Sequence, residues 1–108
     1  MREVLVIGLG SIGERHVRCF QNTGRALVSA VETDPARRQE IASRHSLAKS
    51  FGDLDEALKN PPDAAVVATP APSHVSIATR LVEAGVHVLI EKPLGVGLDG
   101  VDGLLSAV

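Results

Sequence analysis

Short apolar runs alternate with stretches of helical periodicity along the whole chain. Short apolar runs, most of them rich in β-branched residues, predict five strands, over residues 4–7, 26–32, 48–51, 64–68 and 86–90. The first of them is expected to be buried, and the third has only a weak signal. The stretches between and after them predict helices over residues 11–23, 35–45, 54–59, 74–84 and 98–108. Helix-start and helix-stop residues occur at these boundaries: Asp34, Asp53 and Ser73 as N-caps, Pro35 in a first turn, and Gly24 and Gly85 as stops.

Strands that alternate with helices favour right-handed crossovers and a parallel sheet. The sequence therefore predicts an α/β fold, a doubly wound parallel sheet with strand order 3-2-1-4-5, in one domain over residues 1–108. The last predicted helix reaches Val108 on apolar residues, without a cap or stop signal. From this we expect the domain to be incomplete.

Composition excludes several classes of function. With 11 basic and 13 acidic residues the net charge is -2, and Phe20 and Phe51 are the only aromatic residues, so a nucleic-acid surface is not expected. Cys19 has no second cysteine to pair with, which suits a reducing compartment, and we expect it to be a small buried side chain. The apolar run 4–7 is too short for a secretion signal or a membrane span, so we expect a cytoplasmic protein with no membrane partner.

The first predicted strand leads into residues 8–13 (GLGSIG), a G-x-G-x-x-G that opens the first helix. In that setting the pattern indicates a dinucleotide site. Gly8 would make the tight turn, Gly10 would let a pyrophosphate approach, and Gly13 would let the helix pack closely. Free N–H groups at the helix start, on Ser11 and Ile12, favour an anion. The alternative is a glycine turn that serves packing only.

A dinucleotide site also requires a carboxylate about 20 residues after the glycines, at the end of the second strand. Glu32 lies at that place, and its competitor Asp34 is already predicted to cap a helix. A carboxylate there favours the ribose hydroxyls of NAD and repels the 2′-phosphate of NADP. NADP is not excluded, because Arg37 and Arg38 on the following helix could reach a phosphate.

Further polar residues follow the fourth and fifth strands. Thr69, Pro70 and His74 come after one, and Glu91 and Lys92 after the other. Because ligands bind at the carboxyl ends of parallel strands, we expect these residues to converge with the glycine loop. Lys92 is then the candidate catalytic residue, able to orient a substrate hydroxyl or carbonyl. The plainer alternatives are a solvated lysine and a His74 that only packs at its helix start.

The other histidines suggest no chemistry. His16 shares a predicted helix face with Phe20 and is expected to pack there. His45 and His87 lack the spacing of metal ligands, so no metal site is expected.

The segments GLGSIGERH (8–16), AVETDPAR (30–37), ATPAPSH (68–74) and EKPLG (91–95) resemble the glucose–fructose oxidoreductase / inositol dehydrogenase / MocA-type (Gfo/Idh/MocA) family of NAD(P)-dependent oxidoreductases. The resemblance covers essentially the whole chain and implies a Rossmann domain. It implies that Gly8, Gly10 and Gly13 hold the pyrophosphate and Glu32 the adenosine ribose. It places Thr69, Pro70 and His74 beside the nicotinamide and makes Lys92 the catalytic or substrate-orienting lysine.

Members of this family continue into a last Rossmann strand and an α/β substrate domain, and neither is recognisable within these 108 residues. The resemblance therefore implies a truncated chain that is inactive by itself. The intact enzyme would act on a sugar or cyclitol and form oligomers through the absent domain. Two other functions stay open: a non-catalytic dinucleotide-sensing module, which has no need of Lys92, and a Rossmann-like methyltransferase, in which residues 91–93 have no obvious place.

Overall fold

The structure, a computed structural model, describes residues 2–69 and 74–90. The strands are β1 (Arg2–Ile7), β2 (Ala26–Val31), β3 (Ser50–Phe51), β4 (Ala64–Val67) and β5 (His87–Ile90). The helices are α1 (Ser11–Asn22), α2 (Pro35–His45), α3 (Leu54–Ala57) and α4 (His74–Glu83). These are the elements expected from the hydrophobic pattern, with shifted ends. The helix predicted over residues 98–108 lies outside the described residues.

All neighbouring strands are parallel, in the order β3-β2-β1-β4-β5, which confirms the predicted fold class. The register places the strand ends at one level. Ile7 pairs with both Val31 and Val67, Val31 also pairs with Phe51, and Val67 also pairs with Ile90. The loops that follow the strands therefore leave the sheet along a single edge, where ligands of such sheets bind.

Apolar side chains cover both faces of the sheet, as in a doubly wound fold. On one face, Val6, Val28 and Ala30 pack with residues of α1 and α2. The other face packs against α3 and α4 through a second cluster of buried residues, which includes Leu5, Ile7, Val31, Leu54, Val67 and Leu81. Successive strand residues point to opposite faces, so β1 and β2 contribute residues to both clusters.

The predicted helix boundaries have the expected local chemistry. The Asp34 carboxylate accepts hydrogen bonds from the N–H groups of Ala36 and Arg37 at the start of α2. The Asp53 carboxylate caps α3 through the N–H of Glu56. Gly24 and Gly85 adopt positive φ values of 68° and 82° after their helices, a conformation that glycine reaches without strain. Ser73, the predicted cap of α4, lies outside the described residues.

The expectation that Cys19 on α1 is buried was wrong, and the end of α3 is shifted. Cys19 is exposed rather than buried. Val17 points into the core, and a side chain two positions further along a helix lies on nearly the opposite side. The helix α3 ends at Ala57, two residues before the predicted Lys59, and Leu58 serves as its C-cap.

Within residues 2–69 and 74–90, no helix is long and apolar enough to cross a membrane.

Candidate functional site

A cleft of about 580 Å³ opens at the carboxyl edge of the sheet, between the ends of β1, β2 and β4. That volume is typical of small-molecule and cofactor sites. The cleft is lined by the glycine loop, by the ends of β1, β2 and β4, and by residues at or near the starts of α1, α3 and α4. These are residues 7–12, 31–33, 53–54, 68–69 and 77. Six of the predicted cofactor residues line it, namely Gly8, Gly10, Ser11, Ile12, Glu32 and Thr69.

The fold itself requires two of the loop glycines. Gly8 has a φ of 95°, and a Cβ atom there would lie 3.0 Å from the Thr69 Cγ2 atom. A Cβ atom on Gly13 would lie 1.8 Å from the carbonyl oxygen of Gly8, so any side chain would push α1 away from the loop. Gly13 is buried behind the loop and holds its shape rather than lining the cleft.

Gly10 differs from both because no contact among the described residues requires a glycine there. Its φ of -69° and ψ of -171° are open to any residue. A Cβ atom at Gly10 would have no neighbour within 4 Å in residues 2–69 and 74–90. Since Gly10 lines the cleft, its missing side chain leaves room for something that approaches the backbone from outside the protein.

Beside that space, the start of α1 has N–H groups for which the described part of the chain provides no acceptor. Gly10 is the N-cap and has no side chain to cap the helix. The hydrogen bond from the N–H of Glu14 to the carbonyl of Gly10 is of the first intrahelical type, which leaves the preceding N–H groups without helical acceptors. Ser11 and Ile12 carry two of these groups, and both residues line the cleft. Such a helix start attracts an anion by its N–H groups and its dipole.

Glu32 spans the ends of β1 and β2. Its Oε1 atom accepts a hydrogen bond from the N–H of Leu9 at 2.8 Å, and its Oε2 atom accepts one from the N–H of Asp34 at 2.9 Å. Each carboxylate oxygen has a second lone pair. The half-buried Glu32 can therefore support the loop and still accept hydrogen bonds from a diol in the cleft.

His74 lies beside the cleft rather than in its wall. The ring is buried at 2% exposure, and its Nε2 atom is hydrogen-bonded to the carbonyl oxygen of Thr69. Thr69 lines the cleft, so His74 reaches the site through that residue. Both the packing and the functional interpretation of His74 are compatible with this contact. His16 is half-buried, and its ring centroid lies 6.5 Å from that of Phe20, as expected for a packed histidine.

The two arginines that could have reached a phosphate both bond to the main chain instead. The Nε atom of Arg37 donates to the carbonyl of Leu9 at 2.7 Å. The Nη1 atom of Arg38 donates to the carbonyl of Glu32 at 2.8 Å. A guanidinium held this way is less free to bind a 2′-phosphate, and the arrangement favours a cofactor without one.

An ionic cluster behind the loop joins α1 to α2. Glu14 on α1 accepts hydrogen bonds from His45 and Arg44 on α2, each at 2.7 Å. The Nη2 atom of Arg37 also contacts Glu14, at 3.4 Å. The hydrogen bond from His45, followed by that from Arg44, lowers the pKa of Glu14 from 4.5 to about 2. His45, for which the sequence indicated no partner, thus helps to hold the two helices together.

This cluster predicts an acid-sensitive stability. Because the pKa of Glu14 is lower in the folded protein, the unfolded chain binds more protons, and stability falls as the pH drops from 4.5 to about 2. In Glu14→Gln we expect a shallower fall over that range and lower stability at pH 7. Urea unfolding at a series of pH values measures both. The control is Glu40→Gln, which removes an acidic charge from the same helix pair, and equal pH slopes in the two variants would contradict the assignment.

Some predicted residues lie outside the described part of the chain, and the cleft includes others that the sequence did not indicate. Pro70, Glu91 and Lys92 are outside the described residues. Asp53, Leu54 and Ile77 line the cleft although none was predicted there. The strand-end rule, applied to β3 as it was to the other strands, would have found Asp53 and Leu54. Among residues 2–69 and 74–90, no group of three or more His, Cys, Asp or Glu side chains could hold a metal ion.

Comparison with known proteins points to one family. The family described as "Oxidoreductase family, NAD-binding Rossmann fold" (Gfo/Idh/MocA) matches residues 2–108. Myo-inositol dehydrogenase Hyg17 of Streptomyces leeuwenhoekii is 32% identical over 101 residues, which are 94% of this chain and 31% of that protein.

Solved structures give the same result. The myo-inositol 2-dehydrogenase of Lactobacillus plantarum superposes with a TM-score of 0.89 at 28% identity, over 98% of this chain and 32% of that one. The WlbA dehydrogenase of Bordetella pertussis, solved with NADH and UDP-GlcNAcA, has a TM-score of 0.88 at 27% identity, over 97% of this chain and 33% of that one. The chain therefore spans about a third of the length of these relatives.

Proposed function

This chain belongs to the Gfo/Idh/MocA oxidoreductase family, and we propose that it is the NAD(H)-binding part of a dehydrogenase. The protein that contains it would transfer a hydride between NAD and a hydroxyl or carbonyl group of a sugar- or cyclitol-like substrate. Two relatives are named as inositol dehydrogenases, and another was solved with NADH and a nucleotide sugar, which supports this class of cofactor and substrate.

The observation that carries the proposal is the open space at Gly10. The turn explains Gly8 and close helix packing explains Gly13, but no atom of the described protein approaches the missing side chain of Gly10. Beside that space, the free N–H groups of Ser11 and Ile12 suit a pyrophosphate. These donors are backbone N–H groups, so the site can bind phosphates without a cluster of basic side chains. This agrees with the net charge of -2.

Each part of the extended cofactor has a candidate partner along the edge of the sheet. We assign the adenosine ribose to Glu32 and the pyrophosphate to the loop residues Gly8, Gly10 and Gly13 and the helix start at Ser11 and Ile12. The nicotinamide is assigned to the side of the cleft formed by Thr69, with Pro70, His74 and Glu91. When bound, NAD supplies the hydride acceptor, and the protein supplies binding, orientation and proton handling.

Lys92 is the proposed catalytic residue. In the sequence it comes two residues after Ile90, the last residue of β5. We assign it to the nicotinamide side of the cleft, where its ammonium group could orient a substrate hydroxyl or carbonyl and help to move its proton. Because the relatives are about three times as long, we assign the rest of the substrate pocket and any oligomer contacts to other parts of such a protein. We also propose a cytoplasmic location, which suits a chain with a single cysteine.

The test of this function is a titration with NADH, for which binding is expected. In Glu32→Ala we expect at least about a tenfold loss of NADH affinity, since a charged hydrogen-bond acceptor for the ribose is removed. The same variant should narrow the preference for NADH over NADPH, because the carboxylate that repels a 2′-phosphate is gone. Isothermal titration calorimetry with both cofactors measures the two effects.

The matched control is Asp34→Ala, two residues away on the same segment. It removes a helix cap, which costs about 1 kcal/mol of stability, but should leave NADH affinity unchanged. Equal losses in the two variants would count against Glu32 as the ribose ligand. A protein that is folded by circular dichroism but gives no heat with NADH would refute the proposed function itself.

A further inference from the structure

We propose that Arg37 is a positioning residue for the dinucleotide loop, an inference that rests on the proposed NAD(H) function. Leu9, between the first two glycines of the loop, has no exposed surface, and both of its peptide groups are held by charged side chains. Its N–H donates to the Oε1 atom of Glu32 at 2.8 Å, and its carbonyl accepts from the Nε atom of Arg37 at 2.7 Å.

The second of these bonds sets the direction of a cofactor donor. The carbonyl of Leu9 and the N–H of Gly10 belong to one planar trans peptide, in which the two groups point in opposite directions. When Arg37 on α2 holds the carbonyl, the N–H of Gly10 must point away from Arg37. Gly10 lines the cleft, so this orientation prepares its N–H for a pyrophosphate without Arg37 touching the cofactor.

Arg37 is itself held in place by acidic residues on two helices. Its Nη1 atom bonds to Glu40 on α2 at 2.7 Å, and its Nη2 atom contacts Glu14 on α1 at 3.4 Å. All three guanidinium nitrogens are therefore occupied, and the rigid fork of an arginine can satisfy the three directions together. A loop ordered in this way before binding loses less conformational entropy when the cofactor arrives.

A positive charge near the cleft could also act simply by attracting an anionic cofactor, and α2 provides a control for that effect. Arg44 lies on the same helix and contacts Glu14 and Glu40, two partners that it shares with Arg37. Its bonded partners are these side chains rather than the loop. Arg44→Met and Arg37→Met therefore remove the same charge from the same cluster, and only the second removes the bond to Leu9.

The experiment compares NADH, ADP and adenosine as ligands of the wild-type protein and its Arg37→Lys, Arg37→Met and Arg44→Met variants, with affinities measured by calorimetry or NMR titration. In Arg37→Met we expect NADH and ADP to bind about tenfold more weakly. Adenosine, which has no phosphate, should bind unchanged. Arg37→Lys keeps the charge but lacks the fork, so it should show the same pattern with a smaller loss. Arg44→Met should bind all three ligands like the wild type.

The controls separate this inference from the function on which it rests. If the wild-type protein does not bind NADH, the proposed function fails. If the wild type binds NADH but Arg37→Lys binds NADH and ADP equally well, Arg37 does not position the loop; this variant decides the question even if Arg37→Met does not fold. Equal losses for ADP and adenosine, or equal losses in Arg37→Met and Arg44→Met, would also overturn the inference, because they indicate a general effect on structure or charge.

Discussion

Replacement of Gly13 by alanine is expected to lower the free energy of unfolding by about 3 kcal/mol or more, the upper range for overpacked sites. The new Cβ atom would lie 1.8 Å from the carbonyl oxygen of Gly8, and 2.9 Å from its carbonyl carbon. These are backbone atoms of the turn between β1 and α1, so no side-chain rotation can relieve the clash. Either α1 moves away from the sheet or the loop changes its shape.

Thermal and urea unfolding followed by circular dichroism measure this loss. Gly24→Ala is the matched control, because Gly24 has a φ of 68° but the described chain has no atom within 4 Å of the new Cβ. That variant should lose only about 1 kcal/mol, the usual cost of alanine in a left-handed conformation. If Gly13→Ala has the same free energy of unfolding as Gly24→Ala, the loop and α1 do not lie as close together as in the structure.

Replacement of Gly10 by alanine is expected to abolish most NADH binding while the protein stays folded. The backbone conformation of Gly10 suits alanine, and the methyl group meets no atom of the residues that the structure describes. Stability should therefore change by no more than about 1 kcal/mol at this N-cap. In the cleft, however, the methyl group occupies the space assigned to the pyrophosphate. The methyl group would push the phosphates away from the N–H groups of α1 and weaken several charged hydrogen bonds at once. We therefore expect the affinity for NADH to fall about a hundredfold.

Calorimetric titration with NADH, together with a thermal unfolding curve, measures both quantities in one preparation. Gly24→Ala again serves as the control, since Gly24 is not among the residues that line the cleft, and it should bind NADH normally. The two loop variants form a contrast: Gly13→Ala loses stability first, and Gly10→Ala loses binding with little change in stability. If Gly10→Ala binds NADH like the wild type, the cofactor does not occupy the open space at Gly10, and the assignment of the pyrophosphate to that space is wrong.

The elements of the fold and most of the cleft were predictable because their signals are local. The alternation of β-branched runs with helical stretches predicted the strands, and the cap Asp34 was predicted from its neighbours alone. The level strand ends, with Ile7 beside Val31 and Val67, then follow from parallel pairing. This explains why Gly10, Glu32 and Thr69 were rightly expected at one edge of the sheet.

Other features depended on contacts between distant parts of the chain. Arg37 lies 28 residues from Leu9, and His45 lies 31 residues from Glu14. No sequence period joins such pairs, and each bond exists only because α1 and α2 pack on the same face of the sheet. The exposure of Cys19 likewise depended on the rotation of α1 about its axis, which core packing by Val17 determines.

By itself, the sequence determined the strands and helices of the described residues, the turn glycines and the edge of the sheet at which the cleft lies, because these follow from backbone preferences and the periodicity of apolar residues. Only the tertiary structure decided which charged groups hold the loop, and that Gly13 serves the fold while Gly10 leaves open space. The physical reason is that side-chain hydrogen bonds and steric contacts act over a few ångströms in space, so their partners are defined only after the sheet and its helices have packed.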